Sequence, residues 1–171
     1  MNASFAEDGA VLRAIALEAE RTYPREGCGI VVQRGRVARV IALANVHAAP
    51  ERHFEIEPVG LLRALRAAEQ EGEVLVAIFH SHPEGRARLS REDLACARMP
   101  DGSPAFPGVL QVVVSVRGAL ARELMVFEPV EAGASSPERI RTRRPPAASA
   151  PGRTDGRVRK VRLTPTDASE R

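Results

Sequence analysis

Residues 74–93 read VLVAIFHSHPEGRARLSRED, an unbroken apolar run followed by a polar segment that contains histidine and acidic residues. The run from Val74 to Phe79 has the length and composition of a strand that is buried on both faces. The segment from Ser90 to Arg98 begins with a favourable N-cap residue and predicts a short helix. The stretch therefore predicts a buried strand, a polar loop, and a helix that can fold back over the end of the strand.

The sequence on either side predicts further helices and strands. The spacing of apolar residues indicates amphipathic helices over residues 7–22 and 58–71. Two hairpins are expected around glycine-containing turns, with strands over 29–33, 37–44, 109–116 and 119–127. A short extended piece is expected from Phe54 to Glu57. Together these elements predict an α/β (α+β) domain with about six strands and about three helices.

The composition changes near residue 132. Residues 1–132 contain 15 arginines and 18 acidic residues, a net charge of −3, whereas residues 133–171 contain 10 basic and 4 acidic residues, a net charge of +6. The second part holds five prolines and almost no large apolar residues, so it cannot bury enough surface to offset its ordering entropy. We therefore expect a folded domain over residues 1–131 and a disordered basic tail over residues 132–171.

The tail has two interpretations. It could be a basic arm for nucleic acid or an acidic partner, or a solvated extension without a partner. It lacks the aromatic residues that would stack on bases, which favours the solvated extension and argues against nucleic-acid binding.

The sequence contains no run of about 18 apolar residues and no basic and apolar N-terminal segment. We therefore expect no membrane span, no secretory signal and a cytoplasmic location. The two cysteines, Cys28 and Cys96, are not in a C-x-x-C pair and are expected to be reduced and buried. Nothing in the sequence indicates the oligomeric state.

The residues after the apolar run have the pattern of a metal site. His80 and His82 are two residues apart, so in an extended segment they project from the same face. Pro83 disfavours a helical conformation at His82 and keeps the pair extended. Asp93 lies one turn into the following helix. Two imidazoles and one carboxylate around an open fourth position are typical of catalytic zinc, whose bound water has its pKa lowered from ~15.7 to about 7.

Each part of this pattern also has a structural explanation. Two histidines after a strand can occur by chance. Ser90 and Asp93 fit a helix N-cap with an acidic residue at the third helical position, where both side chains satisfy free backbone N–H groups. The cap and the metal site are compatible, because the start of a capped helix also presents side chains toward the end of the strand. His47 and His53 lie outside the pattern and are expected to be structural or surface residues.

The motif resembles the signature of the JAMM (MPN-plus) metallopeptidases in their short prokaryotic form. His80, His82, Pro83, Ser90 and Asp93 all fall in register with that signature, without gaps. The resemblance extends over about residues 8–128 and implies an MPN-like mixed sheet flanked by helices.

The resemblance also implies a role for each residue of the site. The segment from Pro24 to Gly29 is similar to the one that carries the family's glutamate. In the family, two histidines and an aspartate bind one zinc ion, the glutamate transfers a proton and the serine stabilises the oxyanion. Carried over by position, the resemblance assigns zinc to His80, His82 and Asp93, proton transfer to Glu26, and oxyanion stabilisation to Ser90.

These assignments predict a zinc metallopeptidase or isopeptidase. The resemblance suggests a substrate that ends in the Gly-Gly tail of a ubiquitin-like or sulfur-carrier protein. Two alternatives remain: a non-catalytic MPN scaffold that docks through its basic tail, and a RadC-type DNA-associated protein. A zinc nucleoside deaminase is excluded, because the chain lacks the Pro-Cys-x-x-Cys motif that must accompany a His-x-Glu motif in that class of enzyme.

Overall fold

A single mixed sheet organises the protein, and the computed structural model describes residues 4–127 and 159–162 of the chain. The strands are β1 (Cys28–Arg34), β2 (Val37–Leu43), β3 (Val74–Pro83), β4 (Leu110–Arg117), β5 (Leu120–Phe127) and β6 (Arg159–Arg162). The helices are α1 (Gly9–Thr22), α2 (Pro58–Gln70) and α3 (Arg91–Cys96), preceded by a 3-10 turn at Ser4–Glu7. The expected class, a mixed α+β sheet with three helices, is confirmed.

The sheet has the strand order β2-β1-β3-β4-β5-β6, and only β3 and β4 are parallel. The parallel pair lies at the centre, so both strands are covered on both faces. This position explains why they have continuous apolar runs rather than alternating ones.

The strand β3 is longer than its apolar run suggests. It continues past Phe79 through the histidine motif to Pro83, because β4 pairs with it in parallel as far as Pro83 and Val116. The histidines therefore lie within the strand instead of in a loop that follows it.

The short extended piece expected over residues 54–57 does not become a strand of the sheet. The residues from Phe54 to Glu57 make a single isolated bridge, between Ile56 and Asn45, and Glu57 instead caps α2 by accepting hydrogen bonds from Val59 N and Gly60 N. The sixth strand is β6, which pairs antiparallel with β5, so the expectation of disorder is wrong for Arg159–Arg162. The remaining residues of the predicted 132–171 tail lie outside the described residues, and their disorder stays a prediction.

Helices cover the two faces of the sheet. On one face α1 buries Leu12, Ile15 and Ala19 against the strands, and on the other α2 packs its apolar side over Ile30 and Ile78. Within the described residues, no helix is both long and apolar enough to cross a membrane. The covered sheet is a rigid support for the residues that emerge at the end of β3.

Candidate metal centre

Two imidazoles project together from the end of β3. Register with β4 pairs His80 with Val113 and His82 with Ser115, so the two histidines occupy alternate positions on one face of the sheet. Their Nε2 atoms lie 3.1 Å apart. The expectation that extended geometry brings this pair together is confirmed.

The carboxylate of Asp93 lies beside the two imidazoles. Its Oδ2 atom is 3.3 Å from Nε2 of His80 and 3.5 Å from Nε2 of His82. The start of α3 sets this position, because Ser90 Oγ accepts the Asp93 N–H at 3.0 Å and Asp93 Oδ2 accepts the Ser90 N–H at 2.6 Å. This reciprocal capping box is the structural arrangement expected from the sequence, and it directs the same carboxylate toward the histidines.

The donor atoms of His80, His82 and Asp93 have the spacing that a bound cation requires. Their mutual separations are 3.1, 3.3 and 3.5 Å. A tetrahedral zinc ion with ligand bonds of about 2.0–2.1 Å has neighbouring ligand atoms about 3.3–3.4 Å apart. Two nitrogens and one oxygen at this spacing leave the fourth corner of the tetrahedron open. Within the described residues, this is the group of three side chains that could hold a metal ion.

The orientation of His82 suits a ligand. Its Nδ1 lies 3.0 Å from the carbonyl of Arg86, and a carbonyl can only accept, so Nδ1 carries the proton and Nε2 keeps its lone pair. Gly85 packs directly under the ring, since an added Cβ there would lie 2.8 Å from the His82 Cβ.

The orientation of His80 depends on packing. The ring is fully buried and stacks on Phe54 with centroids 4.3 Å apart and planes tilted by 16°. Its Nδ1 atom has no hydrogen-bond partner among the described residues. Burial lowers the pKa of His80, which keeps the imidazole neutral and able to donate a lone pair.

Asp93 remains ionised in this setting. Burial opposes its ionisation, but the adjacent imidazoles of His80 and His82 and the hydrogen bond from the Ser90 N–H outweigh that effect and hold the pKa of Asp93 below its usual value. A divalent cation needs this carboxylate ionised and both imidazoles neutral, so that each donor atom offers a lone pair.

Glu26 lies just before β1 and lines the same cavity as two of the donors, His82 and Asp93. The residue is 5% exposed, and burial raises the pKa of its carboxyl to about 7. A carboxyl with this pKa can both accept and donate a proton near neutral pH. The structure therefore brings Glu26 and Ser90 to the cavity that holds His82 and Asp93, as the sequence predicted.

The cavity has a volume of about 520 Å³ and includes a loop that the sequence prediction left out. His47, Arg52 and His53 line it from residues 46–55, and Nδ1 of His53 lies 2.7 Å from a carboxylate oxygen of Glu92 on α3. The loop thus bridges to α3 across the cavity. The spacing of His47 and His53 does not match a known motif, so the sequence did not predict that these residues line the cavity.

The two cysteines differ from each other. Cys28 is buried, as expected, and burial raises the pKa of its thiol to about 12. The prediction that Cys96 is buried is wrong: it is exposed and lines the cavity. The reason is that α3 ends at Cys96 and has no buried residues.

Residues 8–127 match the family described as prokaryotic homologs of the JAB domain. The chain belongs to this family. The match confirms the family resemblance drawn from the histidine motif, and it spans α1 to β5.

Two relatives within the prokaryotic JAB family have names that state an activity. The chain is 47% identical over 78 residues to a probable TtuB-protein conjugate cleaving protease of Thermus thermophilus, covering 46% of this chain and 53% of that protein. It is 30% identical over 124 residues to the CysO-cysteine peptidase of Mycobacterium tuberculosis, covering 71% of this chain and 80% of that protein. The match to the Thermus protein thus spans about half of that protein's length.

A solved structure has a similar fold. The solution structure of a protein from Desulfitobacterium hafniense superposes with a TM-score of 0.57 at 27% identity, covering 70% of this chain and 80% of that one. The similarity supports the mixed sheet and helices described above.

Proposed function

We propose that this protein is a zinc-dependent peptidase or isopeptidase that hydrolyses an amide bond at the Gly-Gly tail of a ubiquitin-like or sulfur-carrier protein. The observation that carries the proposal is the triangle formed by the donor atoms of His80, His82 and Asp93, with the buried carboxyl of Glu26 in the cavity that His82 and Asp93 line. Structural zinc sites use four protein ligands, whereas three ligands and an open position are typical of hydrolytic zinc.

Three side chains would hold the ion: His80 and His82 through Nε2, and Asp93 through Oδ2. When bound, zinc supplies a water of lowered pKa and polarises the carbonyl of the scissile bond. The packing of His80 on Phe54 and the cap at Ser90 fix two of the donors before any ion arrives. Preorganised donors lose little freedom on binding.

Glu26 would transfer the proton. Its carboxylate takes a proton from the attacking water at one oxygen and returns that proton to the leaving amine. The pKa of about 7, caused by burial, lies close to the pH at which general acid and base catalysis is most efficient.

Ser90 would donate a hydrogen bond to the developing oxyanion. Its Oγ accepts the Asp93 N–H, and no described residue accepts the hydroxyl proton. The hydroxyl therefore remains available to the cavity. Such a donor stabilises charge that develops in the transition state.

The substrate class is supported by the relatives. The names of the Thermus and Mycobacterium proteins refer to a protein conjugate and to a protein joined to cysteine. Hydrolysis of either kind of bond needs a cavity for the leaving group, and the 520 Å³ cavity beside Glu26 is large enough for one amino-acid side chain or residue. We therefore favour conjugates of this kind as substrates of this chain.

The test is hydrolysis of a peptide whose Gly-Gly end is joined through an amide to aminomethylcoumarin. The zinc-loaded protein should release the fluorophore, and the Glu26→Gln variant should lose about 10²–10⁴-fold in kcat while it retains zinc. Glu51→Gln is the matched control, because this exposed glutamate also lines the cavity; it should retain most of the turnover.

Two results would contradict the proposal. If the zinc-loaded protein cleaves neither this peptide nor a sulfur-carrier protein conjugated to lysine, a non-catalytic MPN scaffold becomes the better explanation. If Glu26→Gln retains both zinc and turnover, the role of Glu26 is wrong.

A further inference from the structure

The side chain of Asn45 forms an unusual number of hydrogen bonds close to the site. It lies two residues past β2, and its amide Nδ2 donates to the carbonyl of Glu26 at 2.9 Å and to the carbonyl of His53 at 3.0 Å. A longer contact of 3.5 Å reaches the carbonyl of Pro50. One amide group thus links the segment that precedes β1 to both ends of the loop that lines the cavity.

The other half of the amide binds the same loop. Oδ1 of Asn45 accepts the N–H of His47 at 3.1 Å and the N–H of Glu55 at 3.0 Å. Backbone N–H groups only donate and carbonyls only accept, so these partners determine which way the amide faces. The amide is therefore oriented by four backbone groups from two separate segments.

Glu26 depends on this arrangement because it precedes the first strand. Its carbonyl lies outside the sheet ladder and needs another partner, which Asn45 supplies; its N–H donates to Pro50 O at 2.7 Å. The next residue, Gly27, is held at both of its backbone groups by Ser81 on β3. The Gly27 N–H donates to Ser81 Oγ at 2.8 Å, and the Ser81 N–H donates to the Gly27 carbonyl at 2.9 Å. The backbone that carries the buried carboxylate is thus fixed by two side chains, and only one of them belongs to the histidine strand.

The same amide also supports a metal-binding position. Phe54 lies between the two loop residues His53 and Glu55 that Asn45 binds, and Phe54 stacks on His80. His80 has no hydrogen bond at Nδ1, so this stacking contact is important for the orientation of its ring. Asn45 therefore connects the backbone of Glu26 to the packing of His80.

We propose that Asn45 is a positioning residue for hydrolysis, which sets the place of the Glu26 carboxylate relative to His80. This inference rests on the proposed function. It predicts that loss of the amide donor lowers kcat through Glu26, with little change in KM and with zinc still bound.

The most selective variant is Asn45→Asp. It retains an oxygen that can accept the N–H groups of His47 and Glu55, and it replaces the donating NH₂ by an oxygen that faces the carbonyl of Glu26. The matched control is Gln33→Glu, the same chemical change at a buried amide that donates to Gly35 O at 2.7 Å in the turn after β1.

The first measurement is amide hydrogen exchange in the full-length, zinc-loaded protein. Asn45→Asp should accelerate exchange at the N–H groups of Glu26 and Gly27, since the clamp on this segment is weakened. Gln33→Glu should leave these two amides unchanged. Equal exchange in Asn45→Asp and wild type would overturn the inference, whether or not the protein turns over any substrate.

The second measurement is a double-mutant cycle on the coumarin peptide, under single-turnover conditions with enzyme in excess. Asn45→Asp should lower kcat about 10–100-fold, the range found for misplaced catalytic groups and for loss of supporting hydrogen bonds. In the Glu26→Gln background, the same change should cost less than about two-fold, because the group that it positions is already gone.

The outcomes are distinct. An equal loss in both backgrounds would mean that Asn45 has only a structural role, and the inference would be wrong. If Asn45→Asp does not fold, Asn45→Ala replaces it, since it removes the donor without placing an oxygen against the Glu26 carbonyl. Absence of turnover in the wild type would refute the proposed function, and hydrogen exchange would then decide the placement of Glu26 alone.

Discussion

The burial of Glu26 makes the stability of the metal-free protein depend on pH in an unusual direction. The pKa of this carboxyl is raised from 4.5 to about 7, so the folded state retains its proton over a range in which the unfolded state loses it. Stability should therefore fall as the pH rises from about 4.5 to about 7. Glu26→Gln removes the titrating group and should remove this fall.

The size of the effect follows from the displacement of the pKa. At about 1.4 kcal/mol per pH unit, the buried charge costs up to about 3 kcal/mol above pH 7. The unfolding free energy of Glu26→Gln minus that of the wild type should therefore be larger at pH 8 than at pH 5, by up to about 3 kcal/mol. Any hydrogen bond lost with the carboxylate changes the unfolding free energy by the same amount at pH 5 and at pH 8. It therefore cancels when the two pH values are compared.

The assay is urea unfolding in the presence of a chelator, at several pH values from 5 to 8. Glu73→Gln is a control that should show almost no pH dependence, because a hydrogen bond from Arg39 at 2.8 Å lowers the pKa of Glu73. This carboxylate is therefore ionised in both the folded and the unfolded state from pH 5 to 8, and the difference from wild type should be nearly constant. A difference between Glu26→Gln and wild type that does not vary with pH would refute the interpretation that Glu26 is buried next to the donors.

Three further changes test other parts of the site. Gly85→Ala would place a Cβ 2.8 Å from the Cβ of His82, so zinc affinity should fall about 10–100-fold in competition with a chromophoric chelator; unchanged affinity would contradict the packing of this ring. Ser90→Ala should cost about 1 kcal/mol in urea unfolding through loss of the N-cap and should also lower kcat, whereas Ser90→Thr should retain both; an alanine variant with wild-type turnover would exclude the oxyanion role. Truncation after Glu131 removes the four-residue edge strand β6 but no site residue, so the circular dichroism spectrum and zinc stoichiometry should stay nearly unchanged; unfolding of the truncated chain would show that the fold needs β6.

The sequence predicted most of the elements because their signals are local. The apolar run from Val74 to Phe79 and the amphipathic spacing over residues 58–71 correspond to β3 and α2. The alternation of His80 and His82 in extended chain was enough to predict that their rings meet. The cap at Ser90 was also predictable, since a capping box needs only two side chains three residues apart.

The features that the sequence did not predict depend on distant parts of the chain. β3 continues to Pro83 because β4, which begins 27 residues later at Leu110, pairs with it there. Phe54 was expected only to begin a short extended piece, and its stacking on His80 was not predicted, because this contact needs the fold as a whole. The same holds for Asn45, whose partners come from segments that are separated by 19 residues on one side and 10 on the other.

The exposure of Cys96 has a similar cause. A short helix over residues 90–98 was expected, with Cys96 buried, but α3 has six residues and buries none of them. A helix this short has no side that packs against the sheet, and its contribution comes from the residues at its N-terminus. Its start carries the capping box and the carboxylate of Asp93, and its end remains at the edge of the cavity.

The most direct test of the account is metal analysis of the purified full-length protein and of two neighbouring variants on α3. Asp93→Ala removes a proposed ligand, and Glu92→Ala removes an adjacent carboxylate that contacts His53 instead. We predict one zinc per chain in wild type and Glu92→Ala, and none in Asp93→Ala after dialysis. Equal zinc content in the two variants, or a wild-type chain that binds no divalent cation, would contradict the central claim that His80, His82 and Asp93 form the metal site.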